Sequence, residues 1–422
     1  MLQEDKNILW KLSAVMLGMA LPSMLLGKSV MMVCLALGSL TGLMATKDES
    51  LRTTFNLMLG SRFSLLVVAF LLASLLGVAL GINPAPAFDR WQQLVLVALA
   101  SVMLFVTFRE MPGRHLETVL SVLVGSTLVV SLLGLLDALL GDPNISNAIH
   151  GPDKAILPSR LNYMSGVLAV ILPFVAAHLI TKVREGEPLA LRSAPWVAAA
   201  SILAVMVSGG SSGWAGFAVS SLTFVALAGR YHGLVVHRRH WGALLTLLVG
   251  GFALYIFAVG WPFFISSFTL VTEAGRLDAT ILDKLNAWKD ALVRLVDYPL
   301  FGVGIMNSRN IIPGFDLHPN TWILQLLVET GLVGTALFCV AVWLVMRQFF
   351  MFAKGNLYGV AGFASVLAFL VTGLGNTSIF NIWWLLFLVF ASLLGWRAGW
   401  GGADLKKRRR RYTVVKPNFA KQ

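Results

Sequence analysis

Charge is scarce in this chain. Lys, Arg, Asp and Glu make up 13% of its 422 residues, about half the share of an ordinary soluble domain, and so few charges cannot cover a water-facing surface. A soluble fold is excluded on that ground. Cysteine is nearly absent as well: Cys34 and Cys339 are the two, both inside apolar runs, which indicates neither a disulfide framework nor a metal cluster. No G-x-x-x-x-G-K-S/T loop occurs, so the chain is not an ATP-driven pump on its own. The first apolar run, 8–27, is too long for a secretory signal and lacks a small-residue cleavage site, so it is expected to be a retained helix.

What the chain has instead is hydrophobic length. Apolar residues form 57% of it and the mean hydropathy is +0.78. Runs of about 20 residues, enough to cross ~30 Å of hydrocarbon as helix, recur from end to end. The expected fold is an all-α polytopic membrane protein of about twelve transmembrane helices, at 8–27, 30–45, 63–80, 92–108, 119–140, 163–181, 194–208, 213–228, 242–262, 321–346, 358–375 and 379–396. The expected organisation is nine spans over 1–262, an outward loop over 263–320, three spans over 321–396 and a basic tail over 397–422.

Lys and Arg set the orientation. With the N-terminus inside, every inward connection is basic: Lys47, Arg52 and Arg62; Arg109 and Arg114; Lys182, Arg184 and Arg192; Arg230, Arg238 and Arg239; Arg347 and Lys354. The positive-inside rule therefore puts both termini in the cytoplasm. The formal net charge of +13 owes much to Lys406, Lys407 and Arg408–Arg411. Directly after the last span, these match anionic membrane lipids better than nucleic acid, which is not expected as a partner.

Two outward segments are unlike plain connectors. The segment 141–162 holds His150, Asp153, Lys154 and Arg160, and 263–320 is long enough to suggest work beyond connection. Inside the latter, Ile281, Leu285, Trp288, Leu292 and Leu295 recur at helical spacing while Asp283, Lys284, Asp290 and Arg294 face elsewhere. This predicts an amphipathic helix that either lies on the membrane surface or caps the bundle. Next comes a glycine-bearing helix stop, Pro299-Leu300-Phe301-Gly302-Val303-Gly304, followed by His318-Pro319, Leu324-Gln325 and Glu329-Thr330-Gly331-Leu332-Val333-Gly334.

Taken together with Trp288-x-x-Ala291-Leu292, this set resembles the signature region of the O-antigen ligase and O-antigen polymerase superfamily, closely over 276–334. Two departures stand out. Where many members have His-Pro-His-Asn, this chain reads His318-Pro319-Asn320-Thr321. Where members have Ser-Arg-Gly at the outward end of a middle helix, it reads Ser211-Ser212-Gly213, so that arginine's phosphate-binding role has no residue here to carry it.

The resemblance implies an inner-membrane glycosyltransferase that uses neither metal nor nucleotide. Its donor would be a glycan linked to undecaprenyl diphosphate, and a sugar hydroxyl, for a ligase that of lipid A-core, would attack at the periplasmic face. A departing diphosphate needs cations, to which Arg offers paired contacts and Lys a point charge; Arg276, Lys284, Arg160 and Arg294 are the candidates. His318, whose unperturbed pKa is ~6.5, suits a base or an acceptor-orienting group, or as an imidazolium a diphosphate contact. Pro319 suits the first turn of the helix after it.

Glu329, expensive in hydrocarbon, is expected to face the protein interior. Asn376, Thr377, Ser378, Asn381, Trp383 and Trp384 form a polar and aromatic cluster at the outward interface, where an aromatic belt explains the tryptophans better than stacking on a sugar does. The Ile379–Trp384 stretch inclines the reading to a ligase over a polymerase. A lipid or polysaccharide transporter is the alternative of another class, disfavoured by few intramembrane charges and no evident inverted repeat.

Overall fold

The structure, a computed structural model, describes residues 3–139, 159–207, 211–233, 279–308, 321–374 and 378–413. The described residues form thirteen α-helices: α1 Gln3–Ser23, α2 Lys28–Ala45, α3 Asp48–Leu59, α4 Arg62–Leu80, α5 Pro84–Glu110, α6 Gly113–Leu139, α7 Ser159–Arg184, α8 Pro188–Val207, α9 Ser211–His232, α10 Ala279–Asp297, α11 Trp322–Ala353, α12 Leu357–Gly373 and α13 Ile382–Thr413.

Nine of these, α2, α4 to α9, α11 and α13, are long and apolar enough to cross a membrane. The protein is thus a multi-pass membrane protein. Of the twelve expected spans, the first and eleventh are helices, α1 and α12, that fall short on those measures, and the ninth, 242–262, lies outside the described residues. α1 is nonetheless packed, with Ala14, Leu17, Ala20 and Leu21 fully buried against α2 and α6. α13 continues beyond the expected end at 396, taking the basic run Lys406–Arg411 into the same helix.

The helices are assembled as lipid-facing helices should be. On α4, Leu65, Leu72, Leu76 and Leu80 are exposed while Ala73, Ser74, Gly77 and Val78 are buried. Lipid tails solvate leucine as well as the protein does, so small residues turn inward and let backbones approach. Gly213 and Gly216 do this for α9: a Cβ on the first would strike Ser165 of α7, and on the second Thr372 of α12. The Ser211-Ser212-Gly213 that departs from the family motif is thus where α9 presses on α7.

Two features at the end of the bundle where α5 terminates were not read from the sequence. α3 is a short helix whose Ser50 and Thr54 donate to the carboxylate of Glu110, Thr54 at 2.7 Å. Arg397 of α13 donates to the carbonyls of Phe108 and Met111 at 2.9 and 2.8 Å, satisfying carbonyls that the end of α5 leaves open.

Candidate functional site

The site is built on a broken helix. α11 departs from helical geometry at Gly331 (φ 64°, ψ −169°), a region of backbone space open essentially to glycine alone. A break inside a membrane frees backbone groups that must find partners within the protein. They find them in the segment after α10. The amides of Val303 and Gly304 donate to the carbonyls of Val328 and Glu329 at 2.9 and 3.2 Å, and the amides of Leu332 and Val333 donate to those of Pro299 and Leu300 at 2.9 and 3.1 Å. The run Pro299–Gly304 and the run Glu329–Gly334, separate motifs in the sequence, therefore pair antiparallel.

Close approach makes this pairing possible. A Cβ on Gly331 would overlap the Leu300 carbonyl, and one on Gly302 (φ 72°) the backbone of Val328–Thr330. From the other side, Gly77 and Gly81 of α4 and its C-cap let the carbonyls of Phe301 and Val303 lie against the helix backbone.

Glu329 closes the arrangement. Its side chain is fully buried, as its place in an apolar helix led one to expect. One carboxylate oxygen accepts from the Met306 amide at 2.7 Å; the other accepts from the Ser308 hydroxyl and, at 3.2 Å, from Gln325 Nε2. Gln325 also donates to Ser378 Oγ at 2.8 Å and accepts from the Ile379 amide at 3.1 Å, which ties α11 to the connection before α13. Asn307 donates to the carbonyls of Val303 and Asn83 at 2.8 and 3.1 Å. Ser308, Gln325, Asn307 and Ser378 are all buried.

A helix, α10, runs over the predicted stripe, and its side chains from Trp288 onward are described. Ala291 is its buried contact, packed with Val303 and Val328, with Tyr298 against them. Of the predicted stripe, Trp288 and Leu292 are exposed, as are Val293, Val296 and Leu300 beside them. An apolar face left open beside a charged one is what a helix lying in the membrane interface presents.

Of the five residues proposed from sequence, Arg294 is the one whose side chain is described. It stands 3.6 Å from Asp297, half-exposed, an ion pair of small energetic weight that leaves the guanidinium accessible. Lys284 lies on the same helix and Arg160 in the first turn of α7; their side chains, and Arg276 and His318 altogether, are outside the described residues. α11 begins at Trp322 with Thr321 as N-cap, so Pro319 precedes that helix instead of opening it.

The aromatic-belt reading is corrected. Trp383 and Trp384 are buried in the protein, and Trp384 stacks on Phe369 at 4.5 Å and Phe387 at 5.8 Å. The packing of α12 against α13 encloses them. Asn376 and Thr377 lie outside the described residues.

Comparison with known proteins bears on this same stretch. The O-antigen ligase family profile matches residues 196–339, from within α8 through the paired loop and the break in α11. Over that stretch the chain is similar to the O-antigen ligase superfamily. Among curated proteins it is similar to one from Rickettsia conorii (strain ATCC VR-613 / Malish 7) described as a polysaccharide ligase, 24% identical over 116 residues that make up 24% of this chain and 28% of that protein. A second such protein, from Rickettsia prowazekii (strain Madrid E), is 24% identical over 117 residues, 24% of this chain and 29% of the relative. The alignments thus span under a third of those relatives' length. Within the superfamily signature, the glycines and Glu329 turn out to be the parts that build the break and hold the loop in it.

Proposed function

We propose that the protein is an O-antigen ligase, transferring a polysaccharide from undecaprenyl diphosphate to lipid A-core at the periplasmic face of the inner membrane. The observation that carries this reading is the O-antigen ligase match over 196–339, which contains the whole paired loop. The basic inward connections support the same orientation, with both termini cytoplasmic.

In this reading a hydroxyl of the acceptor sugar attacks the anomeric carbon of the donor. The new carbon–oxygen bond forms as the bond to the diphosphate breaks, and undecaprenyl diphosphate departs with the electron pair. His318 takes the hydroxyl proton, and Arg276, Lys284, Arg160 and Arg294 are the candidate cations for the leaving charge. An interfacial α10 suits a lipid-borne donor, since it would hold Lys284 and Arg294 at headgroup depth.

A deletion strain tests the function through its lipopolysaccharide. Core without attached chains, together with accumulating lipid-linked long polymer, is expected. Core bearing one repeat unit would instead identify a polymerase joining lipid-linked units, and a defect in export of the lipid-linked material would identify a transporter.

A further inference from the structure

We propose that Glu329 is a positioning residue for glycosyl transfer: its carboxylate holds the turn Met306–Ser308, which follows α10, in a strained, single conformation, and so fixes where the chain leads from α10 toward His318. The proposal rests on the ligase reading for its chemistry and on geometry for the rest.

Three observations converge on it. Met306 is the non-glycine residue at positive φ (60°) among the described residues. A methionine held there is less stable than in its ordinary conformations, and such strain persists where surrounding structure imposes it. What imposes it is Glu329, which accepts the Met306 amide at 2.7 Å. Second, the other carboxylate oxygen takes the Ser308 hydroxyl, so both ends of the turn Met306–Ser308 are held by one side chain. Third, Gln325 joins the same oxygen to Ser378 and the Ile379 amide, fixing the turn against the α12–α13 connection as well as against α11.

A helix-locking carboxylate would need partners on helices. Met306 and Ser308 instead lie in the segment after α10, and that segment is continuous with α10, where Lys284 and Arg294 lie. Glu329 thus acts on the site through backbone placement. Glutamine in its place can accept at one oxygen only, and turns an N–H₂ group toward donors.

The test measures polymer transfer to lipid A-core in membranes, with donor KM and kcat determined for the full-length chain at matched insertion. Glu329→Gln is expected to keep donor KM within about twofold and lower kcat about tenfold or more, the loss of one or two buried hydrogen bonds at the reacting geometry. Ser308→Ala should lower kcat less, and the double variant should be no worse than Glu329→Gln alone. Met306→Gly removes the strain, so adding it to Glu329→Gln should recover part of kcat. A wild-type kcat in Glu329→Gln, a loss confined to KM, or no recovery with Met306→Gly would overturn the proposal. If Glu329→Gln fails to insert, Ser308→Ala decides on the same criterion of lowered kcat at unchanged KM. Hydrogen exchange of the 299–308 amides separates this idea from the ligase reading: wild-type protein inactive in transfer defeats the ligase, whereas unchanged protection in Glu329→Gln defeats the lock.

Discussion

The amide of Val303 donates to the carbonyl of Val328 at 2.9 Å, joining the loop that follows α10 to the helix that breaks at Gly331. Neither partner has a useful side chain for chemistry. Their bond matters because it makes the helix break and the loop a single structure: each supplies the hydrogen bonds the other lacks, and neither is stable inside a membrane without the other. The helix α10 is attached to the same structure through Ala291.

It follows that the glycines at the break are critical. Gly331→Ala meets both an unfavourable φ and the Leu300 carbonyl, whereas Gly186→Ala meets a comparable φ (82°) with open space around it. The second should cost about 1–2 kcal/mol, the first clearly more. Thermal melting of the detergent-purified protein should rank Gly331→Ala well below Gly186→Ala and Gly302→Ala beside Gly331→Ala. Equal melting of Gly331→Ala and Gly186→Ala would mean the loop is not docked in the break.

Much of this was legible in the sequence, in proportion to how local the physics is. Apolar length gave the spans, and the spacing of Trp288, Leu292 and Leu295 gave α10. The face that α10 turns to the protein was not legible, because in a membrane an apolar stripe does not identify the core. For the same reason Trp383 and Trp384 read as lipid-facing but are enclosed by α12 and α13. Glu329 was correctly expected to point inward from the cost of charge in hydrocarbon; its partners were not, since the Met306 amide reaches it only through a tertiary pairing. α3 carried a signal in Leu51, Phe55 and Met58 that a short polar connector obscured.

Orientation can be read with thiols. In a chain with Cys34 and Cys339 replaced by alanine, a cysteine at Lys289, exposed on α10, should react with a membrane-impermeant reagent in cells with a permeabilised outer membrane. One at Arg192, exposed near the start of α8, should react only after lysis. Ser308 would be a poor probe, being buried against Glu329. Reversed labelling would place the loop in the cytoplasm and end the ligase reading.

The diphosphate cations form the next test. Arg276→Ala and Lys284→Ala should each weaken donor use if that residue contacts phosphate, a charge-assisted hydrogen bond being worth roughly 1.5–3 kcal/mol, or about tenfold and more in donor KM or rate. Lys284→Arg should keep part of the activity, because a point charge is replaced by a charge of different shape. Arg294, already beside Asp297, should show a smaller effect than whichever of these contacts the donor. Wild-type turnover in both alanine variants would move the cradle to Arg160.

His318 carries the sharpest distinction. It stands in the sequence between Ser308, held by Glu329, and the N-cap of α11 at Thr321, and both of these residues are anchored to the same broken helix. If it is the base or orients the acceptor, His318→Ala should lower transfer by about 10²-fold or more, the usual scale for a positioned acid–base group, while donor binding survives. If it holds the diphosphate as a cation, donor affinity should fall together with rate, and His318→Arg should retain more activity than His318→Ala. The measurement is transfer of polymer to lipid A-core in membranes, paired with direct binding of a lipid diphosphate, for the wild type and both variants at matched expression. Full transfer by a properly inserted His318→Ala would show that the acceptor proton leaves by another route and that the histidine is a connecting residue.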